Sequence, residues 1–312
     1  MHASFFKSLS YADIWTNDLI GALDIFHDAF GFPETTRDKV ATYASFGTDN
    51  LVFEFGRDPV TRIEINGPAS SGQIDRKRID YPYILERVYE PPLRPAILHA
   101  TVVATPNLPI LVERLQRLGL RHRFDKGGEN TMDRLWVGFS ADKRDPFYSP
   151  EADAGLMFEF WESSSDAVVS KLVPVRGAPN DLARIEASTM LVADLQHPLT
   201  LLKANFDWEP SRVWRDGATQ IAEFKFDDPR SASLHFIAPS DADSRPGKHL
   251  TQWGAGAYVR RIACSDLSGR EQSLRRRGID VETGPALDGS GRKAALAFGG
   301  RHFYGMIEYV EA

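Results

Sequence analysis

Cysteine is almost absent: the 312-residue chain has one, Cys264. A single thiol closes no internal disulfide and cannot build a cysteine-rich zinc site. Its place in RRIAC (260–264), a strand-like run, makes it an inert buried thiol rather than a nucleophile. Long apolar runs are also missing, and none approaches the roughly 18 residues a membrane-crossing helix needs. Positive charge is in deficit, with 37 Lys and Arg against 43 Asp and Glu and a net charge of −6. That balance excludes the basic footprint of a nucleic-acid or anionic-membrane binder. The Arg-rich LRRRG (274–278) reads as a solvated helix face. The opening MHASFFKSLSYADIW has too short an apolar core for a secretion signal. The expectation is a cytoplasmic protein with neither membrane nor nucleic acid as partner.

Two motif classes are missing as well. GPALDGSGR has glycines but no phosphate-loop spacing ending in Gly-Lys-Ser/Thr, and no G-x-S-x-G elbow supports a serine hydrolase.

What is present is a repeated anomaly. Residues 155–162 read GLMFEFWE, with Glu159 between Phe158 and Phe160. Burying a charge costs several kcal/mol unless something pairs with it. Yet the pattern recurs as Phe53-Glu54-Phe55, Leu234-His235-Phe236 and Ile307-Glu308-Tyr309. Each framed acid or imidazole closes a unit of strand, helix and two or three strands. In the first unit LSYADIW precedes a helix over NDLIGALDIFHDAFGF, where Leu19, Leu23, Phe26 and Phe30 recur at helical spacing. KVATYASFG and NLVFEFG follow as strands. The order returns from ILHATVVA, from RIEASTMLVADL and from AYVRRIACSDL. Aligned on these openings, Tyr11, His99, Ala187 and Val259 are equivalent, and the second unit is longer by an insertion at 141–154.

Four such units resemble the vicinal oxygen chelate superfamily of glyoxalase I, bleomycin-resistance proteins and type I extradiol dioxygenases. The resemblance rests on DLIGALDIFHDAFGF, on ILHATVVA with His99 and on GLMFEFWE with Glu159. It implies an α+β fold of four βαβββ modules paired into two domains, each a curled mixed sheet forming an open barrel-like cup with helices outside. The domains expected are 1–165, with modules 5–58 and 95–163, and 183–312, with modules 183–240 and 255–311. A break is expected near 163–183.

The resemblance also implies a divalent metal, Fe2+ or Mn2+ in preference to Zn2+, Ni2+ or Co2+, held by first- and last-strand residues. His99 and Glu159 match ligand positions of one module. If the second module pairs with the third, His235 joins them and Ala187 leaves an open position. If the first pairs with the second, Glu54 faces the same cup, with Tyr11 beside it. A small oxygenated substrate, aromatic or catecholic, would then meet ring-cleaving dioxygenase chemistry. A glyoxalase-like lyase or isomerase using Glu54 and Glu159 is the alternative, and a metal-free small-molecule-binding protein is a third reading. Trp15, Arg134, Trp136, Trp161, Arg212, Trp214 and Arg215 suit a planar, anionic or phenolic ligand. Segments 57–96 and 240–256 are long enough to cover a site, and His249 and Tyr258 beside the second are candidate acid–base groups. A homo-oligomer is compatible with all of this.

Overall fold

A computed structural model describes residues 4–16, 19–32, 41–43, 48–55, 61–68, 96–127, 132–142, 144–145, 147–165, 175–177, 179–298 and 306–312. Its strands form two sheets that divide the chain between residues 177 and 182. The first has the order β2-β3-β4-β1-β5-β8-β7-β6, from β1 (Ser8–Thr16), β2 (Ala41–Tyr43), β3 (Thr48–Phe55), β4 (Thr61–Pro68), β5 (Ala96–Thr105), β6 (His122–Asp125), β7 (Arg134–Val137) and β8 (Phe158–Glu162). The second has β11-β12-β13-β10-β14-β17-β16-β15, from β10 (Leu182–Leu191), β11 (Arg212–Asp216), β12 (Thr219–Phe224), β13 (Ser233–Pro239), β14 (Gly256–Cys264), β15 (Val281–Pro285), β16 (Lys293–Phe298) and β17 (Met306–Glu311). In each sheet the opening strands of two successive modules pair antiparallel at the centre, β1 with β5 and β10 with β14. Modules therefore pair first with second and third with fourth.

Three expectations change. The first module closes on β4, beyond residue 58, in a stretch read as loop; residues 69–95 of that stretch lie outside the described residues. The expected break at 163–183 contains a short strand, β9 (Val175–Gly177), which pairs in parallel with β3. The 240–256 segment holds a helix, Arg245–Trp253.

The described helices are α1 (Leu19–Asp24), α2 (Leu108–Arg117), α3 (Gln196–Phe206), α4 (Arg245–Trp253) and α5 (Leu267–Arg276). In α2, Leu108, Leu111 and Leu115 fall on one face and are buried, as a 3.6-residue period requires. Its first turn leaves backbone donors unsatisfied, and Glu162 at the end of β8 accepts from Leu108 N at 2.9 Å. Asp266 caps α5 and Ser244 caps α4 in the same sense, from their own chain start.

Helices of one sheet meet helices of the other. Arg114 of α2 donates to the Asn205 carbonyl at the end of α3, and Asn205 Nδ2 donates to Glu151 O and Ala152 O at 3.0 Å. Arg270 of α5 pairs with Asp181 and donates to Phe30 O, at the end of the π-helical turn Ile25–Ala29 that continues α1. Between them one apolar core runs across both sheets, from Phe6, Phe26 and Phe158 to Phe206, Trp208 and Phe236. The opposite, concave faces of the sheets are separate: one lined by Tyr11, Trp15, Trp136 and Trp161, the other by Leu191, Ile221, Tyr258 and Leu296.

Candidate active site

Strand register identifies which side chains occupy equivalent places. On the parallel pairs that close each module, Val102 faces Glu159, Thr189 faces His235, and Arg261 faces Glu308. In the first module Tyr11↔Arg62 and Ile14↔Ile65 bracket Asp13 and Glu64. The framed closing-strand residues are thus Glu64, Glu159, His235 and Glu308. Glu54 lies on β3, opposite Arg62, and its side chain is outside the described residues. Glu64 has the same framing, Ile63 and Ile65, within TRIEIN. It was hidden only because the segment around it is rich in loop formers.

The opening strands carry a second surprise. Ala12 pairs with Thr101 and Ile14 with Leu98, so His99 and Ala100 together stand opposite Asp13. β14 repeats the device: Thr189 pairs with Val259 and Met190 with Ala257, leaving Tyr258 as the extra residue. A bulge of this kind adds a residue that no count of spacing reveals. The equivalent of His99 in the second sheet is therefore Tyr258, not Val259 as spacing suggested. The side chain of His99 is outside the described residues.

The first concave face is built from alternate residues of β1, β4 and β8. Asp13, Glu64 and Glu159 bring three carboxyl groups near one another. Asp13, 1% exposed, is hydrogen-bonded to the Glu64 side chain. Burial, then the charges of Glu64 and Glu159, hold its carboxyl well above the usual range, against the pull of the buried Arg260 guanidinium from β14. Glu159 is 4% exposed, and burial pushes it up to about 7 although Arg134 and Arg123 act in the opposite direction. Arg134 Nη1 stands 3.5 Å from Glu159 Oε1 without the geometry of a hydrogen bond. Arg62 lies over the Tyr11 ring at 5.0 Å and Arg123 over Trp136 at 5.7 Å, with Trp161 edge-on to Tyr11 at 5.4 Å. Aromatic planes and guanidinium groups thus surround Glu159, whose carboxyl burial brings to about 7.

In the second face both oxygens of Glu308 are engaged, Oε2 by Arg261 Nε at 2.6 Å and Oε1 by Leu287 N at 2.6 Å. Arg261 also holds Asp288 at 2.6 Å. His235 stands 3.7 Å from Glu223, and its contact lowers that carboxyl to about 2. His249 and Tyr258 meet edge-to-face at 4.9 Å, and burial lowers the His249 imidazole to about 4.

The expected set of His99, Glu159 and His235 does not share one sheet. Glu159 and His235 belong to different sheets, because the second module pairs with the first and not the third. Among the described residues no three His, Cys, Asp or Glu side chains come together as a metal-binding group. Guanidinium groups stand where a cation would balance the acids, at Glu159 and again at Glu308. His235 therefore does not complete a centre with Glu159, and the side chains of the other candidates, His99 and Glu54, lie outside the described residues. Residues that spacing passed over are Asp13, Arg62, Glu64 and Arg123. The visible signals were a charge inside the strand-like SYADIW and the alternation of TRIEIN.

No protein-family model and no curated protein sequence matches the chain. Among solved structures, a triple mutant of 4-hydroxymandelate synthase from Streptomyces coelicolor is 12% identical, covering 98% of this chain and 93% of its own, with a TM-score of 0.61. Methylmalonyl-CoA epimerase from Streptomyces coelicolor, in complex with 2-nitronate-propionyl-CoA, is 20% identical over 42% of this chain and 95% of its own, at a TM-score of 0.38. The Mycobacterium tuberculosis epimerase is 18% identical over 43% of this chain and 91% of its own, also at 0.38. Strand order, module pairing and the full-length match agree: the chain has the vicinal oxygen chelate fold, in its form with four modules and two curled sheets.

Proposed function

We propose that the first concave face is the active site of a glyoxalase-like isomerase or lyase, an enzyme that moves a proton on a small, planar, oxygenated substrate. The observation that carries this reading is Glu159, a buried carboxyl titrating at about 7 with Arg134 3.5 Å away. A general base is most effective when its pKa lies near the working pH. In this reading the Glu159 carboxylate removes a proton from the carbon beside a carbonyl. The electron pair moves to the carbonyl oxygen, and the enolate so formed is stabilised by the Arg134 guanidinium. The Asp13 carboxyl, hydrogen-bonded to Glu64 and held well above its ordinary range by burial, returns a proton to the neighbouring atom. Tyr11, Trp15, Trp136 and Trp161 supply flat apolar surface for the rest of the substrate.

Ring-cleaving dioxygenase chemistry would need a metal, for which Glu159 is the described candidate ligand, while the side chains of His99 and Glu54 lie outside the described residues. The alternative with paired carboxylates is retained, with Glu64 in the place first given to Glu54.

The test is solvent deuterium wash-in, followed by NMR, on a panel of 2-hydroxyketones, 2-oxo acids and thioesters. Exchange into one of them is expected, rising with pH through about 7. Glu159→Gln should slow it by about 100-fold or more, the usual contribution of a general base. Treatment with EDTA should leave the rate in place. Wild-type exchange in Glu159→Gln, or no exchange into any member of the panel, overturns the reading.

A further inference from the structure

The second concave face carries a different chemistry. Its charges are matched within the protein: Glu308 and Asp288 by Arg261, Glu223 by His235, and Arg245 by Glu282 on β15. Two uncharged donors stand apart from these pairs. Tyr258, 1% exposed, has a hydroxyl with no hydrogen-bond partner among the described residues, and the indole N–H of Trp214 is buried without one among them as well. Both side chains belong to one apolar cluster with Leu191, Ile221, Ile237 and Leu296. A buried donor left unsatisfied costs about 1–3 kcal/mol, so a native fold that keeps two in one place calls for a reason.

Helix α4 covers this face. It sets His249 against the Tyr258 ring at 4.9 Å and Leu250 against the apolar cluster. At its start Arg245 is tied to Glu282. His249, lowered to about 4 by burial, adds a neutral imidazole rather than a cation.

We propose that the second concave face, under α4, is a separate binding site for a small uncharged molecule with an apolar body and one carbonyl oxygen, a ketone, aldehyde or ester. The Tyr258 hydroxyl donates to that oxygen, and the Trp214 N–H is the second donor. A carboxylate or phosphate is disfavoured, because Glu308, Asp288 and Glu223 already bring negative charge to this face and engage Arg261 and His235. The site is distinct from the acid-lined face of the first sheet and stands whether or not that face is catalytic.

Three probes of similar size separate the possibilities: acetophenone, benzoate and ethylbenzene, titrated into the full chain by calorimetry. Acetophenone should bind tightest, with ethylbenzene weaker for want of an acceptor and benzoate weakest. Tyr258→Phe should weaken acetophenone about 5- to 20-fold, leave ethylbenzene unchanged and raise the melting temperature of the ligand-free protein, since an unsatisfied hydroxyl is removed. Trp214→Phe is the second variant, expected to weaken acetophenone with the fold intact. Benzoate binding as tightly as acetophenone, acetophenone affinity unchanged in both variants, or no acetophenone binding, overturns the proposal.

Discussion

Glu159 illustrates what burial does to a single residue. Its carboxyl rises from an ordinary 4.5 to about 7 because water is excluded, and two arginines reverse only part of that. A folded-state pKa above the unfolded one means the native state binds the proton more tightly. The resulting stabilisation is complete below about 4.5 and is lost as pH rises through 7. At 1.36 kcal/mol per unit the whole effect is roughly 3 kcal/mol. Glu159→Gln, which cannot ionise, should therefore be more stable than the native chain at pH 8 by about 2–3 kcal/mol and nearly equal to it at pH 4.5. Urea unfolding of both proteins at the two pH values checks this. An unchanged difference across that window would place the titration elsewhere. The gain in stability and the loss of exchange activity in one variant would mark Glu159 as strained for function.

Two elements decide whether Glu159 is presented at all. One is the insertion before β8. There Asp153, fully buried, accepts from Phe158 N at 2.8 Å, from Gly155 N at 3.2 Å and from the Tyr148 hydroxyl, and Tyr148 in turn accepts from Met157 N. Ala154 and Met157 hold positive φ angles of 60° and 51° within this turn, conformations that cost energy for residues other than glycine. Asp153 is the group that satisfies the donors such a backbone exposes. Asp153→Ala should cost about 2–4 kcal/mol by leaving several buried donors unpaired. A chemical-denaturation curve measures it, and a loss below about 0.5 kcal/mol would contradict the role.

The other element is the bulge on β5 and its counterpart on β14. Framed acids were legible in the chain because strand alternation is a property of adjacent residues. The bulges were not, since an extra residue on one strand exists only relative to its partner. That is why spacing matches His99 with Val259, whereas the pairing matches it with Tyr258. Equally, β4 was invisible among glycines and prolines until β3 and β1 flanked it.

At the scale of the whole molecule, the two sheets share one apolar core rather than owning one each. Phe6, ahead of β1, stacks on Trp208 at 3.7 Å and 9°, with Phe158, Phe160, Phe206 and Phe226 around it. Phe6→Ala removes the centre of that contact and should cost about 3–5 kcal/mol. Because the contact joins the halves, calorimetry should show the single unfolding transition of the native chain broadening or dividing into two. A variant that melts as one sharp transition at the native temperature would show the halves to be independent of this cluster.

The amino-acid sequence by itself determined that four similar units follow one another, that each contains a strand whose polar residue is framed by apolar ones, and that no disulfide within the chain holds them. Those are local properties, written in periods of two and of 3.6 residues. Tertiary structure alone decided which unit pairs with which, and so placed Glu159 with Asp13 and Glu64 instead of with His235. It also decided what meets each acid, a guanidinium here and an imidazole there. Such partners come from strands far apart in the chain, and only folding brings their charges within the few ångströms where electrostatics acts.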